Sequence, residues 1–61
     1  MLLQIDPGDP DSHLRLGQTL RDLEQLEDAA AALQKAIALE PLLQTAWFQL
    51  AGVRAELGDF D

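Results

Sequence analysis

Sixty-one residues, with 4 basic against 11 acidic side chains and a net charge of −7, limit the chain to one small domain with a thin core. That charge argues against nucleic acid, whose phosphates require a basic face, and disfavours an anionic membrane surface. With no cysteine and one histidine, neither disulfides nor the common zinc sites are available, so the stability a short chain lacks is expected from assembly or from a longer parent.

The first residues, Met1-Leu2-Leu3-Gln4-Ile5-Asp6-Pro7, carry neither the basic start nor the apolar stretch of a signal peptide. No apolar run approaches the roughly 18 residues of a membrane span. The cysteine-free composition fits the cytoplasm without demanding it. Asp6, Asp9 and Asp11 alternate around Gly8, but a calcium loop starting at Asp6 would need a bidentate acid where Gly17 stands, so no metal or other cofactor is expected.

Pro7, Pro10 and Pro41 fall in polar breaks, and the stretches between carry helical periodicity. Over residues 11–23 the apolar residues are Leu14, Leu16, Leu20 and Leu23, with Gly17 on the same side. Leu16, Leu20 and Leu23 share one stripe, and Asp11 or Ser12 is placed to cap the start. Residues 27–40 are rich in strong helix formers, with Ala29, Leu33, Ala36, Ile37 and Glu40 at spacings of three and four. Glu27 and Asp28 sit in the first turn, where the helix dipole favours negative charge. Residues 45–57 repeat the first stretch through Trp47, Leu50, Ala51 and Leu57, and Gly58-Asp59-Phe60 makes the following turn. Period-two alternation is missing throughout, so the chain reads as all-α.

Sliding the sequence by 34 residues places Pro7 on Pro41, His13 on Trp47, Leu16 on Leu50, Gly17 on Ala51, Leu23 on Leu57 and Leu26 on Phe60. The first copy reads His13-x₂-Leu16-Gly17-x₂-Leu20, then Ala29-x₃-Leu33, then Ala36 and Pro41. The second reads Trp47-x₂-Leu50-Ala51-x₂-Arg54. This pattern resembles the tetratricopeptide repeat, W-x₂-L-G-x₂-Y followed by A-x₃-F and P. The departures are His13 for the first aromatic, Leu20 and Arg54 for the second, and Glu24 where the turn usually has glycine.

The resemblance implies antiparallel helix pairs stacked as an α-solenoid. Residues 1–9 are expected to end a preceding repeat, 10–43 to form one complete repeat, and 44–61 to begin the next. Gly17 and Ala51 then lack side chains where the paired helix crosses, and Ala29 and Ala36 supply the matching small surface. Leu16, Leu20, Leu33 and Ile37 fill the space around the crossing, and His13 packs at the helix interface.

In this family the first helix of each pair lines a concave surface that takes peptides. Carried onto this sequence, the inward residues are Asp11, Leu14, Arg15, Gln18 and Asp22, then Thr45, Phe48, Gln49 and Glu56. Leu14 and Phe48 lie outside the packing stripes, which makes them candidate contacts for a partner; a neighbouring helix is the alternative for Phe48. Gly52 interrupts the third helix, leaving space for a ligand or reflecting simple tolerance. The subfamily that clamps acidic chaperone tails would have Lys, Asn and Asn where Leu14, Gln18 and Gln49 stand, so that specificity is not expected. No clustered acid, base or nucleophile is present, and no phosphate-binding glycine run, so the chain is read as non-catalytic. The expected function is a scaffold that binds a protein or peptide partner. The alternative is a structural spacer or oligomerisation arm of a larger protein, with self-association through uncapped helix faces.

Overall fold

Over residues 8–58, the span described by the computed structural model, the chain forms three helices: α1 (Pro10–Asp22), α2 (Leu26–Leu39) and α3 (Gln44–Leu57). The expectations resting on residues 1–7, and on Asp59 and Phe60, lie outside the described residues. Among the described residues there is no strand, and no helix is long and apolar enough to cross a membrane. The connections at 23–25 and 40–43 are short, which turns each helix back along the one before it.

Asp9, rather than Asp11 or Ser12, caps α1. Its backbone is extended, its Oδ1 accepts from the Asp11 N–H at 3.0 Å and its Oδ2 from the Ser12 hydroxyl at 3.3 Å. Pro10 is not in a break but is the first helical residue, where its missing N–H leaves no helical bond unmade. At the other end Leu23 is the C-cap of α1 and stands 61% exposed, outside the stripe expected for it. The Gln25 N–H donates to Leu20 O at 2.8 Å and the Glu24 N–H to Arg21 O at 2.9 Å. This pair of bonds needs the intervening residue in the left-handed region, and Glu24 occupies it with φ 63°. Gly58, one repeat later, has φ 76° at the end of α3. The left-handed residue therefore recurs at the matching place in both copies, held without steric cost by glycine in one and against it by glutamate in the other.

The core runs along α2. Ala29, Leu33 and Ala36 of α2 join Leu14 of α1 and Ala46, Leu50 and Val53 of α3 in one buried cluster, with Leu20, Leu26, Ile37 and Leu43 packed against it. Leu33 and Val53 are its largest fully buried side chains. Each removes enough apolar surface from water to contribute about 1.5–3 kcal/mol. Both neighbours fit onto α2 because its buried residues are mostly alanine. At Gly17 the approach is closest: an added Cβ would lie 2.7 Å from Leu33 Cδ2 and Cγ and 3.4 Å from the Ala29 carbonyl oxygen. The expected close approach at Gly17 is therefore present, but it receives the Leu33 side chain rather than a small surface, and Ala51, expected to do the same in α3, is exposed.

The apolar face of α3 differs from its expected stripe. Ala46, Leu50 and Val53, at spacings of four and three, face the core, whereas Trp47 is 53% and Leu57 39% exposed and Ala51 is also exposed. The stripe carried over from α1 is the one that meets the helix following in sequence. In α3 the buried stripe meets the helix before it. Leu16 shows the converse in α1: it is only half-buried, while its counterpart Leu50 is 5% exposed against α2.

Two outcomes follow from this packing, both readable by helical circular dichroism in an osmolyte that strengthens burial. Gly17→Val should lower stability by about 1–3 kcal/mol, since fully buried Leu33 has no room to retreat; a variant as stable as the parent would refute the close crossing. Glu24→Gly should raise stability by about 1 kcal/mol through release of left-handed strain. A loss there would mean that the Glu24 side chain contributes more than its backbone costs.

Candidate functional site

The face to consider is the one that α1 and α3 form together in front of α2. The two helices touch directly along a short seam, and its best-defined contact is Arg21. From the last turn of α1 its Nη1 donates to Gln49 Oε1 at 3.0 Å and its Nη2 to Glu56 Oε2 at 2.9 Å. The hydrogen bond to Glu56, together with the negative charges of Glu56 and Asp22, raises the Arg21 pKa above its already high ordinary value, against a smaller opposing effect of desolvation. Gln49, Gly52 and Glu56 share one stripe of α3, spaced by three and four, and Thr45 extends it one turn earlier. On α1, Leu14 and Gln18 stand on the same side as Arg21 by the same spacing.

The residues expected to face inward separate into groups. Gln49 and Glu56 meet Arg21 across the seam between α1 and α3, while Gln18 is half-buried and Thr45 exposed. Asp11, Arg15 and Asp22 are exposed; Arg15 Nε pairs with Asp11 Oδ2 at 3.1 Å, one helical turn apart, with side chains 78% and 57% exposed. Such a pair contributes little to stability and leaves both groups accessible. Leu14 is a correction. It was expected to be surplus to packing, but it is 7% exposed and belongs to the core. Phe48, its counterpart one repeat later, is 77% exposed. Identical repeat positions thus have opposite surroundings, because α1 has α2 and α3 after it, whereas no described helix follows α3.

Sequence reasoning missed Arg21 altogether. It fell outside the apolar stripe and outside the inward set, although its equivalent in the second copy is Ala55. A long forked cation opposite Gln49, Gly52 and Glu56 was the available signal, but only the juxtaposition of two helices 28 and 35 residues apart in sequence reveals it. Trp47 was expected in the packing stripe. Its indole Nε1 instead donates to the Pro41 carbonyl at 2.8 Å, tying the α2–α3 turn to the first turn of α3 while the residue stays about half exposed. His13, at the matching place in α1, is half-buried.

The arrangement offers a polar, charged strip flanked by apolar residues. Among the described residues no three histidine, cysteine or acidic side chains are grouped to hold a metal ion. Residues 10–43 match the family model described as the tetratricopeptide repeat. No curated protein and no solved structure matches the chain significantly.

The contrast between Leu14 and Phe48 gives a direct measurement. Leu14→Ala should cost about 2–4 kcal/mol because it opens the core, whereas Phe48→Ala should change stability by less than about 0.5 kcal/mol. Chemical denaturation of the two variants side by side reads the difference; equal losses would show that Phe48 is packed in solution.

Proposed function

The chain belongs to the tetratricopeptide repeat family, a family of protein–protein interaction modules, and we propose that it binds an extended or helical segment of a partner protein across the face shared by α1 and α3. The observation that carries this reading is that α2 alone stands behind both helices. This leaves α1 and α3 side by side with their polar residues outward. The contact set is Asp11, Arg15 and Gln18 on α1 with Thr45, Phe48 and Gln49 on α3, together with Asp22 and Glu56 at the far ends. Leu14 supports this set from beneath. The exposed Arg15–Asp11 pair offers a donor and an acceptor to a peptide backbone at small cost, since the pair is already solvated.

A second reading is favoured by a different observation. Trp47, Phe48, Ala51 and Leu57 leave α3 apolar on sides that no described helix covers. The counterpart of Phe48 in the first copy is buried, which supports a further helix pair packing there. On this reading residues 10–43 are one repeat of a longer array and 44–61 begin the next. The chain then also serves as a structural spacer or as an arm for assembly, its isolated form folding only weakly. The two readings part at Phe48, which meets a partner segment in the first and a following helix pair in the second.

Selection from a random peptide library, followed by amide chemical-shift mapping of the best peptide, tests the first reading. Shifts should concentrate at Asp11, Arg15, Gln18, Thr45 and Gln49. A footprint centred on Trp47, Ala51 and Leu57 would move the site to the far side of α3 and favour the second reading, and one on the exposed side of α2 would defeat both.

A further inference from the structure

Gly52 interrupts α3 with a poor helix former, and α1 explains why. A Cβ built on Gly52 would come 2.9 Å from Arg21 Nη2 and 3.2 Å from Arg21 Cζ and Nη1. The guanidinium rests against the α3 backbone at the one place where no side chain intervenes. From there its two terminal nitrogens reach Gln49 on one side and Glu56 on the other. Those acceptors lie one turn before and one turn after Gly52, so the span matches the planar fork of an arginine and exceeds what the single ammonium of a lysine can hold at once.

We infer that Arg21, seated on Gly52, is a positioning residue that sets the spacing and rotation of α3 against α1. Gly52 is the seat of this clasp and not an opening for a ligand. Three observations converge on it. The clasp is the defined polar connection between helices that otherwise touch along a short seam, the two acceptors flank the seat symmetrically, and the seat residue is the only one without a Cβ in the middle of α3. Because α2 sets the distance of each helix from itself, a contact in front of α2 bears directly on how far the shared face opens. The inference does not rest on any partner binding there, and it stands or falls on the free chain.

A four-protein comparison of parent, Gly52→Ala, Arg21→Ala and the double variant tests it. With Arg21 removed, Gly52→Ala leaves only the better helix propensity of alanine and should raise the melting midpoint by roughly 4–8 °C. With Arg21 present the added methyl displaces the guanidinium, so the gain should be smaller. Equal gains in both backgrounds would overturn the clasp, since the two positions would then be independent. Residual dipolar couplings supply a readout that does not depend on a cooperative melt. The α1–α3 angle should change in Arg21→Ala and in Arg21→Lys while the α1–α2 angle holds, and an unchanged α1–α3 angle would likewise overturn it. In the parent the Arg21 guanidinium N–H resonances should be resolved and should collapse on Gly52→Ala; resonances indifferent to that methyl would place the guanidinium elsewhere.

Discussion

At the α1–α2 crossing the backbone of Gly17 lies so close to Leu33 that even a methyl group would overlap it, and the rest of the molecule depends on that approach. The chain is too short to bury a broad core, so its apolar surface is covered by bringing helices near rather than by interposing large side chains. Alanine extends the same solution through the core, where Ala29 and Ala36 of α2 and Ala46 of α3 have no exposed surface at all. Larger residues at these places would push α1 or α3 outward, and the shared face in front of α2 would lose its geometry with them.

What α2 does is therefore architectural. Among the described helices it is the one packed extensively on both others, and its chemistry is correspondingly bland: alanine and leucine inward, solvated charge outward. On the proposed reading, recognition falls to α1 and α3, whose shared surface α2 supports from behind. Arg21 adds what close packing of small residues cannot. Apolar packing sets how near the helices lie, whereas two directional hydrogen bonds across the seam also constrain how one is turned against the other. The division of labour is apolar contact for proximity and a charged clasp for orientation.

Repetition supplies a comparison within one chain. Positions related by 34 residues share backbone conformation even where the residue does not suit it, as Glu24 and Gly58 show, both in the left-handed region. The same positions do not share burial. Leu14 and Phe48, and Thr19 and Val53, each pair a buried residue with an exposed one, and Leu16 is half-buried where Leu50 is buried. Backbone conformation is a local property of the repeat, whereas burial depends on which helices lie before and after it, and the two described ends of the stack differ in that respect.

That distinction separates what the sequence determined from what the tertiary structure decided. Proline, glycine and the three-four spacing of apolar residues were sufficient to place three helices within a residue or two, because helix formation and termination are set by neighbours along the chain. The Gly17 crossing was legible for the same reason: a small residue flanked by large apolar ones at helical spacing implies close approach wherever a partner helix lies. Leu14 as core, Val53 and Ala46 as the buried face of α3, and Leu23 as an exposed cap were not legible. Each depends on the angle at which a second or third helix arrives, which no spacing within one helix contains. Arg21 and Gly52 lay furthest from view. A cation on one helix and a missing side chain on another become one feature only when two segments about thirty residues apart are folded against a common support.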